Sequence, residues 1–146
     1  MQRPLLVGEY EFTLDAKNRI AVPARLRSAF VDGIYITRWY EDSLAGFSPA
    51  EFERYLEEQA GATPPMSSKG RSQLRFLAAG AVADQLDRQG RVTIPARLLD
   101  YAAITREVTI VGVRDHIEIW ERSAWARYLK SLEEGADAIA DELAAS

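Results

Sequence analysis

The sequence predicts an α+β protein in which two copies of one small unit share a core. Three observations indicate this fold. Residues 15–26 return 72 residues later as residues 87–98, with six of twelve positions identical. The first copy follows a segment in which apolar and polar residues alternate, the pattern of a half-buried strand. A unit of roughly 50 residues buries too little surface to be stable alone. We therefore expect the two units to intertwine as a pseudo-two-fold β-barrel with helices outside.

The repeated segment predicts a tight turn followed by a strand. Its identical pairs are Asp15/Asp87, Arg19/Arg91, Pro23/Pro95, Ala24/Ala96, Arg25/Arg97 and Leu26/Leu98. Aspartate accepts backbone N–H bonds in turns, so Asp15 and Asp87 are expected to shape them. Asn18 and Gly90 occupy the same position in the two copies, and both residue types tolerate a positive φ there.

The first unit is predicted to hold four strands and two helices. Tyr10, Phe12 and Leu14 alternate with acidic or polar residues, which favours a strand over 5–14. A proline presets φ for the short helix at 24–30, and Ser48 with Pro49 opens a longer helix. The other predicted strands are 19–22, 34–37 and 44–47.

The second unit repeats this order after a segment dense in turn-forming residues. The predicted parts are a linker at 61–70, helices at 71–79 and 95–102, strands at 81–86, 107–112 and 117–120, and a helix from Glu121. Trp125, Tyr128, Leu129 and Leu132 keep helical spacing in that last helix. The predicted division is a first repeat 5–60, a linker 61–70, a second repeat 71–133 and a frayed acidic tail 134–146.

Composition excludes several classes of protein. The chain has 146 residues, no cysteine and one histidine, and no apolar run long enough to span a membrane. We therefore expect a cytoplasmic protein with neither metal nor cofactor. An enzyme is not expected, because no nucleophile–base set, phosphate-binding glycine loop or self-cleaving Gly-Ser bond is present.

Charge is segregated along the chain although its net value is −4. Basic residues gather near the repeated segment, whereas residues 51–58 and 133–142 are acidic. A local positive surface can bind an anion while the whole molecule stays acidic.

The motifs resemble the MraZ family of bacterial transcriptional regulators. The resemblance rests on Leu14-Asp-Ala-Lys-Asn-Arg19 with Val-Pro-Ala-Arg-Leu-Arg27, on Leu86-Asp-Arg-Gln-Gly-Arg91 with Ile-Pro-Ala-Arg97, and on Ile117-Glu-Ile-Trp120. It extends over about Val7 to Leu132, and Asn18 stands where the family usually has glycine.

The resemblance implies a fold, a partner and a target. The fold is two AbrB-like domains with swapped hairpins, and the assembly is a ring-shaped homo-oligomer. The partner is double-stranded DNA carrying short direct repeats upstream of the division and cell wall gene cluster. A nucleoid-associated regulator of transcription is therefore expected. An oligomeric structural or protein-binding module of the same fold, without DNA, remains the alternative.

Candidate DNA-binding residues are the charged side chains of the two motifs. They are Lys17, Arg19, Asp15, Arg88, Arg91, Arg25 and Arg27. A guanidinium pairs bidentately with phosphates or guanine edges, but each motif arginine can equally hold its turn by pairing with the aspartate four residues before it. Both roles can hold together. Lys17 and the arginines that follow make the first motif more basic, so we expect it to bind more strongly.

Several other residues have two interpretations. Arg25, Arg27 and Arg97 can contact DNA or form a solvated helix face, and the roles of Lys69, Arg71 and Arg75 stay open. His116 is expected at a strand end rather than on a metal. Trp39, Trp120 and Trp125 are expected in the core or in subunit interfaces.

Overall fold

The computed structural model describes residues 3–62 and 67–146. Its elements in chain order are β1 (Leu6–Thr13), β2 (Arg19–Ala21), a 3-10 helix (Ala24–Phe30), β3 (Ile34–Arg38), β4 (Leu44–Phe47), α1 (Pro49–Ala62), α2 (Ser68–Gly80), β5 (Val82–Asp84), β6 (Arg91–Thr93), α3 (Ala96–Tyr101), β7 (Glu107–Arg114), β8 (Ile117–Glu121) and α4 (Arg122–Ala145). The predicted strands and helices are confirmed in type and order.

Two predicted segments contain more helix than expected. Within the predicted linker at 61–70, α1 continues to Ala62 and α2 already begins at Ser68. Residues 63–66 of that linker lie outside the described residues. The tail is not frayed, since α4 is continuous from Arg122 to Ala145. Alanine-rich sequence favours such continuation even where the helix buries few side chains.

The strands of the two predicted units interleave in one antiparallel sheet. Its order is β1-β7-β8-β4-β3-β5, so strands from the first and second halves of the chain alternate in blocks. β1 pairs with β7 along its whole length, from Leu6↔Arg114 to Thr13↔Glu107, and β5 pairs with β3. The predicted sharing of one core by two units follows from these pairings.

The predicted closed barrel is not formed by the described strands. β1 and β5 are the two outer strands of the six-stranded sheet. β2 and β6, which follow them in sequence, leave that sheet and pair with each other as a separate two-stranded ribbon. The strands that would close a barrel therefore form a separate ribbon instead.

Three apolar clusters hold the helices in place. The main core joins both halves of the chain and includes Leu26 and Phe30 of the 3-10 helix with Leu98 and Leu99 of α3. A second cluster around Trp39, Phe47, Phe52 and Leu77 holds α1 and α2. A third, around Val111, Trp120 and Trp125, holds α4. The expectation that the three tryptophans are buried is confirmed.

The helices within the described residues do not have the character of membrane spans. α4 has 24 residues, but it carries charged side chains along its length, among them Glu133, Glu134 and Asp137. Among residues 3–62 and 67–146, none of the helices combines the length and apolar character that crossing a membrane requires.

Candidate functional site

The first turn is held together by the carboxylate of Asp15. Its Oδ1 accepts hydrogen bonds from the backbone N–H groups of Lys17 and Arg19, both at 2.9 Å. Its Oδ2 accepts one from Nε of Arg19 at 2.7 Å. The backbone of Asn18 takes φ = 58°, a left-handed conformation that asparagine tolerates. The arginine is thus fixed by the aspartate four residues before it.

The second turn repeats this arrangement bond for bond. Oδ1 of Asp87 accepts from the N–H groups of Gln89 and Arg91 at 2.9 Å, and Oδ2 accepts from Nε of Arg91 at 2.9 Å. Gly90 takes φ = 74° at the position of Asn18. Each arginine is thus paired with the aspartate four residues before it, and Asn18 and Gly90 take positive φ at equivalent positions.

The two turns lie side by side and are bonded to each other. β2 and β6 run antiparallel between them, with Ile20 opposite Val92. The N–H of Val22 donates to the carbonyl of Gly90 at 2.8 Å, and the N–H of Ile94 donates to the carbonyl of Asn18 at 2.9 Å. The two turns, 72 positions apart in sequence, are therefore joined through the β2–β6 ribbon into one surface.

Electrostatics keep both turn aspartates ionised at neutral pH. The backbone N–H of Arg19, followed by its guanidinium and the N–H of Lys17, lowers the pKa of Asp15 to about 2. The N–H and guanidinium of Arg91 lower the pKa of Asp87 in the same way. Hydrogen bonds to a charged carboxylate favour that form. The arginines consequently have a permanent anionic partner that orients them.

The motif cations differ in exposure. Lys17 and Arg88, at the two tips, are exposed. The side chains of Arg19 and Arg91 keep 28% and 30% of their surface accessible. Each aspartate engages Nε of its arginine, and Nη1 of Arg91 also lies 3.8 Å from Oδ2 of Asp15. The turns therefore present four cations that a polyanion can reach.

The other motif arginines lie on the two short helices, Arg25 and Arg27 on the 3-10 helix and Arg97 on α3. Arg25 is exposed on the 3-10 helix, and Arg97 donates from Nη1 to the carbonyl of Gly80 at 3.2 Å. Arg27 does not lie behind the first turn, as its position in sequence suggested. It packs against Gly90 of the second turn, so this reason for ranking the first motif higher is wrong. Sequence reasoning missed this placement because it depends on how the repeats cross.

The other residues singled out by the sequence do not belong to the two turn segments. Lys69, Arg71 and Arg75 are exposed on α2. His116 directly precedes β8 and is buried, which confirms its predicted place at a strand end. Across the two described ranges, no group of three or more His, Cys, Asp or Glu side chains could hold a metal ion.

Comparison with known proteins identifies the family. A family model described as "MraZ protein, putative antitoxin-like" matches residues 5–72 and 77–145, in two tandem segments. The chain belongs to the MraZ family. The prediction from the turn motifs is thereby confirmed, and the two matched segments each contain one of the aspartate–arginine turns.

Three MraZ relatives match almost the whole chain. A protein named transcriptional regulator MraZ from Oenococcus oeni is 37% identical over 95% of this chain and 96% of its own length. A protein of the same name from Leuconostoc mesenteroides subsp. mesenteroides is also 37% identical, over 95% of this chain and 96% of its own length. The one from Roseiflexus castenholzii is 38% identical over 96% and 97%.

Proposed function

We propose that this protein is a sequence-specific DNA-binding regulator of transcription that contacts the duplex through its paired turns. The relatives are named transcriptional regulators, which supports the general function. The observation that carries the proposal is the identical construction of the two turns. Each holds an arginine by its Nε, and the two arginines share one surface.

This construction suits base reading as well as phosphate binding. A guanidinium fixed by a carboxylate loses little rotamer freedom on binding, and it presents a planar pair of donors to guanine or phosphate. Lys17 and Arg88 at the tips are suited to phosphate contacts, which position a protein without specifying sequence. Arg19 and Arg91 then read bases, while Asp15 and Asp87 orient them and Arg25 and Arg27 add positive charge.

We also propose that the architecture is the duplicated AbrB-like swapped hairpin. The pairing of β2 with β6 and the crossed pairings of β1 with β7 and β3 with β5 support it. In this proposal residues 5–60 and 71–133 are the repeats, 61–70 the linker and 134–146 the acidic tail. The chain then carries two related DNA-reading turns about a pseudo-two-fold axis.

A homo-oligomeric ring would multiply these contacts. Linked weak sites bind tandem DNA sites with an avidity above that of each one. Direct repeats about 10 bp apart present successive sites on one side of the duplex. The proposed target is therefore a set of short direct repeats upstream of the division and cell wall gene cluster, bound by a nucleoid-associated protein in the cytoplasm. A scaffold of the same fold without DNA is the alternative.

The test is binding to the upstream region of the gene itself, compared with random duplex DNA, over a series of salt concentrations. Wild type, Arg19→Ala and Arg91→Ala are measured, with Arg127→Ala on α4 as a charge-matched control. We expect both turn variants to lose about tenfold or more in affinity for the upstream region, and the control to stay close to wild type. Affinity should fall steeply with salt.

Two results would contradict the proposal in different ways. If wild type bound the upstream region no better than random DNA, the scaffold alternative would be favoured. If Arg19→Ala and Arg91→Ala kept the oligomer size and affinity of wild type, the turns would not be the site.

A further inference from the structure

A cleft beside the second turn combines cations from both halves of the chain. It has a volume of about 280 Å³ and is lined by Arg27, Phe30, Asp87, Arg88 and Gly90, among others. Arg27 belongs to the 3-10 helix of the first half, whereas Arg88 is at the tip of the second turn. Only the crossing of the two halves brings these arginines together.

Arg27 is fixed against the backbone of the turn. Its Nε donates to the carbonyl of Val22 at 2.8 Å, and the N–H of Val22 donates to the carbonyl of Gly90 at 2.8 Å. A Cβ at Gly90 would lie 2.2 Å from Nε and 2.6 Å from Cζ of Arg27. The guanidinium therefore lies directly on Gly90, where no larger residue fits without moving it.

The cleft has an excess of positive charge. Asp87 is engaged by Arg91 at 2.9 Å. Within the part of the chain that the structure describes, neither Arg27 nor Arg88 takes part in an ion pair. The Nε bond to Val22 leaves the outer nitrogen atoms of Arg27 free to donate to another acceptor. Two unneutralised arginines in one cleft suit a phosphate, whose oxygens accept several such bonds.

The residues that build this cleft differ at the first turn. The repeat places Leu99 at the position of Arg27, and Asn18 at the position of Gly90. Leu99 is 5% exposed and belongs to the apolar core. The second turn thus has a glycine with an arginine from the other half of the chain, whereas the equivalent positions at the first turn are Asn18 and Leu99. A cleft of this composition is therefore expected only once in each chain.

We propose that Arg27 and Arg88 together bind one phosphate of the DNA backbone, so that the second turn is the anchor that sets the position of the protein on the duplex. The inference rests on the proposed function, since it assigns part of the DNA interface. It adds Arg27 to the second turn and leaves the first turn without that anchor. Such a contact strengthens binding to any sequence, because phosphates carry no sequence information.

The experiment compares salt dependence among four variants. Arg27→Gln and Arg88→Gln remove one cation each, Arg27→Lys keeps the charge but loses the bond to Val22, and Arg127→Gln is the matched control. Affinities for the upstream region and for random DNA are measured from about 50 to about 200 mM salt. Each lost phosphate contact lowers the slope of log affinity against log salt by about 0.9, a three- to four-fold change across that range.

We expect Arg27→Gln and Arg88→Gln to lower this slope and to weaken binding to both DNAs by similar factors. Arg27→Lys should keep nearly the slope of wild type, and Arg127→Gln should leave it unchanged. Arg88 makes no hydrogen bond among the described residues, so Arg88→Gln tests the cleft without disturbing the fold. Thermal melting and oligomer size check that Arg27→Gln is folded.

Three outcomes would overturn the inference. If wild type binds the upstream region but both glutamine variants keep its salt slope, Arg27 only supports the turn, and the proposed function stands. If wild type binds no duplex DNA, the proposed function fails together with the inference. If calorimetry with inorganic phosphate alone shows saturable binding that Arg27→Gln abolishes while the DNA slopes stay equal, the cleft serves free phosphate.

Discussion

The guanidinium of Arg91 in the second turn lies 3.8 Å from the carboxylate of Asp15 in the first. Asp15 therefore faces two arginines, its own partner Arg19 at 2.7 Å and Arg91 across the ribbon. Asp87 has an ion pair with Arg91 alone among the described residues. The two turns have the same internal hydrogen bonds, but Asp15 faces two arginines whereas Asp87 faces one.

This asymmetry predicts that Asp15→Ala impairs sequence preference more than Asp87→Ala does. Loss of Asp15 releases Arg19 and weakens the positioning of Arg91, whereas loss of Asp87 leaves Arg19 in place. We expect the affinity ratio between the upstream region and random DNA to fall about tenfold for Asp15→Ala, the worth of one well-placed bidentate contact. Asp87→Ala should cause a smaller fall.

The measurement is binding to both DNAs at one fixed salt concentration. Asp137→Ala, on the exposed part of α4, controls for the loss of one negative charge. Removing a carboxylate strengthens attraction to any DNA, so the ratio, not the absolute affinity, is the informative quantity. Equal ratios for the two turn variants would contradict a special role of Asp15.

Acid should weaken the turns through the same carboxylates. Hydrogen bonds hold the pKa of Asp15 near 2 and that of Asp87 below its ordinary value of 3.8. A depressed native pKa gives stability that is present above the unfolded-state pKa and is lost as pH falls through the folded-state value. We therefore expect the free energy of unfolding to decrease between about pH 4 and pH 2.

Urea unfolding at a series of pH values between about 2 and 6 measures this effect. Asp15→Asn keeps an oxygen that can accept from the backbone but cannot ionise, so its stability should depend less on pH than that of wild type. Parallel curves for the two proteins would show that Asp15 does not contribute to the acid sensitivity.

The parts of the candidate site that the sequence predicts are those formed by residues close together in the chain. Asp15, Asn18 and Arg19 lie within five residues, so hydrogen-bonding capacity and φ preference were enough to predict their turn. The period-two pattern around Tyr10 and Phe12 likewise predicted β1. These features follow from side-chain chemistry and from spacing along one segment.

The parts that sequence reasoning did not reach depend on pairings between distant segments. Arg27 is adjacent in sequence to the first turn, yet it packs on Gly90 because the two halves cross. The open sheet arises because β2 pairs with β6 instead of extending β1. Gly90 and Arg27 can both be read from the sequence, but only the structure shows that they are in contact.

The contact between Gly90 and Arg27 predicts a stability difference between the two turns. Alanine at position 90 would adopt a positive φ and would also collide with Arg27. We expect Gly90→Ala to lower the free energy of unfolding by about 2–3 kcal/mol. Asn18→Ala, at φ = 58°, should cost only about 1 kcal/mol, because Leu99 rather than an arginine stands at the position equivalent to Arg27.

A double-mutant cycle with Arg27→Ala separates the two costs at Gly90. Removing the guanidinium relieves the collision but not the backbone strain, so the cost of Gly90→Ala should fall by about 1 kcal/mol in the Arg27→Ala background. Chemical denaturation measures all four proteins. Strictly additive effects would show that Arg27 does not lie on the turn in solution.

His116 is buried where the turn between β7 and β8 meets the second apolar cluster. Its ring stacks on Phe47 with centroids 4.8 Å apart and lies 5.0 Å from the ring of Trp39. Nδ1 is 2.9 Å from Oδ1 of Asp115, and Nε2 is 3.5 Å from Oε2 of Glu118. The latter pair lacks hydrogen-bond geometry, so the attraction is electrostatic.

Other charged side chains face the same place from α1. Glu51, Arg54 and Glu58 line the pocket that also contains His116 and Asp115. Glu51 is paired with Arg54 at 3.3 Å and also with Arg3. Carboxylates thus outnumber the cations around the imidazole, which favours its protonated form.

Stability should consequently fall as pH rises through the pKa of His116. Burial lowers this pKa, but Glu118 and Asp115 raise it by more, and it lies above its ordinary value of 6.5. A raised native pKa gives stability that is complete below the unfolded-state pKa and is lost as pH rises through the folded-state value.

In urea unfolding from about pH 5 to pH 9, His116→Gln should be less stable than wild type at low pH, and the difference should shrink at high pH. A constant difference would show that packing against Phe47 and Trp39, rather than charge, accounts for the contribution of His116. His116→Phe, which keeps an aromatic ring against Phe47 but cannot be protonated, should show the same loss of pH dependence.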